Sequence, residues 1–96
     1  MKRDLSDDLK AKVRAIIDDM LGQYDIEQCR FEVRDDATGD EAIFIDLTYR
    51  LNAKEFDGSV INQLRSAVRS VLIDSGDDRF PYIRHRLPEG QKVKAA

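Results

Sequence analysis

Between Glu41 and Leu51 the chain alternates strictly. Ile43, Ile45, Leu47, Tyr49 and Leu51 take every second position, with Phe44, Asp46, Thr48 and Arg50 between them. In a strand this puts five apolar side chains on one face, and a slip of one residue would expose all of them. The stretch is therefore expected as the central strand of a small sheet with one buried face, and the other elements are read relative to it.

Gln28 to Asp35 alternates in the same way, with Cys29, Phe31 and Val33 on one parity and Arg30, Glu32 and Arg34 on the other. The intervening Asp35-Asp36-Ala37-Thr38-Gly39-Asp40 has a glycine where a three-residue hairpin loop needs a left-handed residue. If Asp36 faces Asp40, then Val33 faces Ile43, Phe31 faces Ile45 and Cys29 faces Leu47, so both apolar sets fall on one side. The same register predicts an Arg30–Asp46 pair on the opposite side.

Two helices flank this hairpin. Met1 to Leu5 reads as a loose end, and Ser6 as the cap of a helix with Asp7 and Asp8 in its first turn. Leu9, Val13, Ile16, Ile17, Met20 and Leu21 form its apolar stripe, and Gly22 is the expected stop. The second helix is expected after Asp57 as N-cap, with Phe56 and Ile61 as a hydrophobic staple and Val60, Leu64, Ala67, Val68, Val71 and Leu72 inward. Beyond the turn chemistry of residues 74–78, Arg79 to Leu87 reads as a third strand with Pro81 at its irregular start. Pro88 to Ala96 has no apolar period.

The expected fold is therefore α+β, a two-layer sandwich of order α-β-β-α-β with two helices on one face of a three-stranded sheet. Residues 1–87 form one globular domain and residues 88–96 a flexible C-terminal tail. The order of elements resembles the cytoplasmic domain of zinc-transporting cation diffusion facilitators, and Ala42 to Leu51 is similar to its central strand. It also resembles type II KH domains, which clamp RNA with a Gly-x-x-Gly loop. The glycines at 22, 39, 58, 76 and 90 never show that spacing, and a single histidine with no His-rich or Cys-rich cluster carries over no metal site. No family is assigned on these residues, and neither cofactor nor metal is expected.

Charge narrows the function classes. Residues 1–63 carry nine Lys and Arg against fifteen Asp and Glu, and residues 64–96 carry seven against four. An acidic front and a mildly basic rear disfavour bulk coating of nucleic acid, while allowing one local basic patch. With Cys29 alone, no apolar leader and no run of about 18 apolar residues, the expected compartment is a reducing cytoplasm and no membrane is involved.

The candidate chemistry is thin. His85 is the only histidine, and no elbow, triad spacing or metal pattern accompanies it, so it reads as a half-buried strand residue. Cys29 has inward parity and reads as a small core residue. Neighbouring carboxylates such as Asp7-Asp8 and Asp77-Asp78 read as helix-start and turn residues.

The open sheet face is more informative. Arg30, Arg34, Phe44, Arg50, Tyr82, Arg84 and Arg86 gather there with Glu32 and Asp46. Arginine and aromatic side chains suit both a protein interface and a surface that stacks single-stranded bases. Two carboxylates inside the patch and an acidic hairpin tip weaken a phosphate track more than a protein interface. The expectation is a small adaptor or accessory protein, without enzymatic activity, that binds a protein partner or a second copy of itself. Single-stranded nucleic-acid binding through the same face is the alternative.

Overall fold

The computed structural model describes residues 4–94. They form α1 (Asp7–Leu21), β1 (Ile26–Asp35), β2 (Glu41–Tyr49), β3 (Phe56–Asp57), α2 (Ser59–Asp74), β4 (Pro81–Arg86) and β5 (Val93–Lys94). The main sheet has the order β1-β2-β4, with β1 antiparallel and β4 parallel to the central β2. A helical crossover is what lets the chain return parallel, and α2 supplies it.

The hairpin register follows from its turn. Asp36 N–H donates to the Asp40 carbonyl at 2.8 Å, Gly39 N–H donates to the Asp36 carbonyl at 3.0 Å, and Gly39 takes φ 87°. A side chain at that φ would be strained, so the three-residue loop needs its glycine. The pairs Val33–Ile43, Phe31–Ile45 and Cys29–Leu47 then form as the alternation requires.

The α1 cap is the expected one, with Leu9 N–H donating to Ser6 Oγ at 3.2 Å. Leu9, Val13, Ile17 and Leu21 of α1 are buried with Leu64, Val68 and Leu72 of α2 against Ile43, Ile45, Leu47 and Tyr49. Spacing of four residues on each helix meets spacing of two on β2, which produces a single core. At the end of α2, Gly76 (φ 82°) donates to the Ile73 carbonyl at 2.9 Å, and Asp77 N–H reaches the Leu72 carbonyl at 2.8 Å. This is a Schellman closure.

Four details differ from the expectation. Leu5 is buried in the core rather than part of a loose end, and residues 1–3 lie outside the described ones. Strand β2 stops at Tyr49, so Leu51 is off the buried face and 63% exposed. Helix α2 starts at Ser59 because Phe56 and Asp57 are drawn into a strand pair, although Asp57 Oδ1 still accepts the Ser59 N–H at 3.0 Å. The apolar pattern ends at Leu87, yet the chain beyond it returns to the body. There β5 pairs in parallel with β3, and the Gln91 side chain accepts from Asn52 N–H at 2.8 Å and donates to the Lys54 carbonyl at 3.0 Å.

Candidate interaction face

With both helices on one side of the sheet, register arranges the other side in three rows. Glu32, Phe44 and Tyr82 form one, Arg30, Asp46 and Arg84 the next, and Gln28, Thr48 and Arg86 the last. At about 3.3 Å per residue, alternate positions on β2 separate successive rows by about 6.6 Å. The face therefore has an aromatic end and a polar end.

At the aromatic end, Phe44 and Tyr82 stack with centroids 5.1 Å apart and planes 16° from parallel. The Arg34 guanidinium lies 3.5 Å from the Phe44 ring centroid while its Nε meets Glu32 at 3.0 Å. Tyr82 Oη donates to Asp36 Oδ2 at 2.9 Å, which ties the ring to the hairpin tip. Bonds from Thr38 and Tyr82 hold the Asp36 carboxyl below its ordinary pKa, and that carboxylate pushes the Tyr82 phenol up. Phe80 adds a third ring, 4.9 Å from Tyr82. The stack is partly exposed, with Phe44 half-buried and Tyr82 at 37% exposure, and it is held by a cation at one end and a carboxylate at the other.

At the polar end the Arg30–Asp46 pair does not form, although the two residues are in register. Arg84 takes the carboxylate with Nε at 2.6 Å and Nη2 at 2.9 Å. It sits level with Asp46 on the parallel neighbour, where its planar fork can meet both oxygens. That bond, with lesser help from Arg86 and Arg30, holds Asp46 below the usual carboxylate range. Arg30 and Arg86 flank a shallow recess of about 190 Å³ with Gln28 and Thr48. Arg50 follows the last β2 residue and pairs with Asp25 at 3.4 Å. It lies about 20 Å along the strand from Phe44, so it belongs to the end of the sheet and not to the aromatic cluster.

A larger groove of about 450 Å³ borders the aromatic end. Five consecutive residues from Phe80 to Arg84 line it, with Ile61 and Arg65 of α2 on its other wall. Sequence reading missed the α2 side, because the polar face of a helix gives no periodic signal of what stands opposite it. Arg69, one turn beyond Arg65, lies over Phe80 at 4.9 Å.

The two candidate chemical residues are held as structural groups. Cys29 is half-buried and its thiol pKa is raised by burial, the opposite of what a thiolate nucleophile needs. His85 points inward beside Tyr49 and Phe56. Its Nδ1 shares a hydrogen bond with Tyr49 Oη at 2.8 Å, and its buried Nε2 has no partner. The imidazolium would carry an N–H on both nitrogens with no acceptor for the one at Nε2, and burial pushes the His85 pKa down. No group of three His, Cys, Asp or Glu side chains among the described residues could hold a metal ion, and no described helix is long and apolar enough to cross a membrane.

A stability prediction follows from His85. The unfolded chain takes up its proton near pH 6.5 and the folded chain at lower pH, so acidification favours unfolding below about 6.5. The urea midpoint is expected to be lower at pH 5.5 than at pH 7.5. His85→Asn, whose carbonyl can accept from Tyr49, is expected to flatten that difference. Equal midpoints for the unaltered chain at both pH values would count against a neutral buried imidazole.

Sequence reading also missed a buried ion group. Arg79 and Asp77 are 7% and 6% exposed. Arg79 Nη2 meets Asp77 Oδ2 at 2.6 Å, and its Nη1 meets Glu41 Oε1 at 3.1 Å. The group ties the end of α2 to the first residue of β2, and so fixes where the chain enters β4 and the groove. Comparison with known proteins finds no matching family model, curated protein or solved structure.

Proposed function

We propose that this chain is an interaction module, without enzymatic activity, which holds a partner protein or a second copy of itself against the open face of its sheet. The observation that carries the reading is the Phe44–Tyr82 stack. Its rings are fixed by Arg34 and Asp36 before any partner arrives, and such ordering lowers the entropy cost of binding. Fixed aromatic and arginine side chains are the usual anchors of protein interfaces.

Ion pairing favours a protein partner over nucleic acid. Of the five arginines expected on this face, Arg34, Arg84 and Arg50 are each paired with a carboxylate. A phosphate track needs free cations, and each neutralised one weakens it. Arg30 and Arg86 remain unpaired among the described residues, too few for a strong track.

The test combines light scattering on the chain alone with affinity capture from its native lysate. A stoichiometric partner or a homodimer is expected. Combined Phe44→Ser and Tyr82→Ser substitution should reduce the complex roughly tenfold or more, as loss of an anchor pair does. Arg50→Ala should leave it intact. A monomer without a stoichiometric protein partner, or capture indifferent to both aromatic substitutions, would remove the basis of the reading.

A further inference from the structure

Strand β4 closes the sheet on one side, and no strand pairs beyond it among the described residues. Its outward hydrogen-bonding groups follow from one bond. Ile43 N–H donates to the Phe80 carbonyl at 3.1 Å, so the backbone groups of Phe80, and by alternation those of Tyr82 and Arg84, turn toward β2. Those of Pro81, Ile83 and His85 turn to the free edge. Pro81 has no N–H to offer there, which is where an edge strand tolerates proline. Ile83 and His85 each present one donor and one acceptor, spaced as an incoming strand requires.

The groove lies along this edge, between β4 and α2. Ile61 and Phe80 supply apolar surface, Arg65 stands on the helix side, and Arg84 stands on the open-face side. No carboxylate lines it. Arg65 donates to the neutral Asn62 side chain and Arg69 covers the Phe80 ring, so neither helix cation is neutralised by a carboxylate among the described residues. A strand laid beside β4 would turn alternate side chains toward Arg65 and toward Arg84.

We infer that the β4 edge accepts an extended, acidic segment of a partner protein as a fourth strand, paired through the Ile83 and His85 backbone and held by Arg65 on the helix side of the groove. The inference rests on the protein-interaction reading and deepens it. The groove is continuous with the open face, because Arg34, Phe44 and Tyr82 of its aromatic end also line it. Charge disfavours pairing of β4 with the β4 of a second copy, which would bring Arg86 and the α2 arginines of both copies together.

The test selects a random nonapeptide library displayed on phage against the full chain, then titrates the best synthetic peptide into the labelled protein. Selected sequences are expected to be severalfold enriched in Asp and Glu. Amide proton–nitrogen spectra should show the largest shifts at Ile83 and His85. Arg65→Glu, an exposed change that leaves the core untouched, should weaken binding roughly tenfold. Three results would overturn the proposal: no enrichment of acidic residues, amide shifts that avoid Ile83 and His85, or oligothymidylate moving those two amides as strongly as the peptide. If peptides fail while partner capture still depends on Phe44 and Tyr82, the edge proposal falls and the open-face reading stands. If both fail, both fall.

Discussion

Replacing Arg79 with Met lowers the stability of the fold by about 3–5 kcal/mol, the usual cost of removing one partner from a buried ion pair. Asp77 and Arg79 are both almost fully enclosed, so removing the guanidinium takes a close, charge-assisted partner from the Asp77 carboxylate at a site water hardly reaches. Glu41 loses the same partner at the start of β2. With a urea slope near 2 kcal/mol/M, the midpoint should fall by about 2 M, a large share of a typical stability of 5–15 kcal/mol. Arg84→Met removes an equally well-formed pair with Asp46, but in solvent, where the charges are hydrated and screened. It should barely move the midpoint. Equal effects from the two substitutions would show that burial is not what makes the Arg79 group matter.

Phe56→Ala is expected to cost about 3–5 kcal/mol, the range for deleting a buried aromatic ring. Phe56 is 2% exposed, with Tyr24 at 4.8 Å, Tyr49 at 5.3 Å and His85 at 5.8 Å between ring centroids. Its removal opens a cavity where four aromatic side chains meet. It also loosens the site at which β5 returns, since Phe56 N–H donates to the Lys92 carbonyl at 2.9 Å. Near-ultraviolet circular dichroism should change with the midpoint, whereas Phe56→Leu, which refills part of the volume, should cost less. A stability within error of the unaltered chain would place the ring outside the core.

These two residues also show where sequence reading stops. Ile43 to Tyr49 and the stripes of both helices were legible because periods of two and of about four are geometric properties of strands and helices. The hairpin register was legible because Gly39 fixes the loop length locally. Arg79 and Asp77 were not, because charges beside a turn have the same pattern whether solvated or enclosed. Leu5 and Tyr24 are single apolar residues in connections, too few to define a period, although Tyr24 Oη accepts the Asp57 N–H at 3.0 Å in the folded chain. The two-residue pairing of β3 with β5 depends on long-range closure and leaves no local mark.

The open face was legible in membership and not in wiring. Parity alone placed Phe44, Asp46, Tyr82, Arg84 and Arg86 together. Which arginine takes Asp46 depended on where β4 pairs, and that is a tertiary fact. The groove on the α2 side required the same fact, so Arg65 and Arg69 could not be singled out from sequence.

Hydroxyl-radical footprinting of the chain, alone and with its captured partner, tests the open-face reading most directly. Phe44 and Tyr82 are predicted to be oxidised in the free chain and severalfold less in the complex. Leu51 and Ile73, exposed apolar residues elsewhere on the surface, should react equally in both. Oxidation of Phe44 and Tyr82 that is unchanged by the partner, with Leu51 or Ile73 protected instead, would contradict the account.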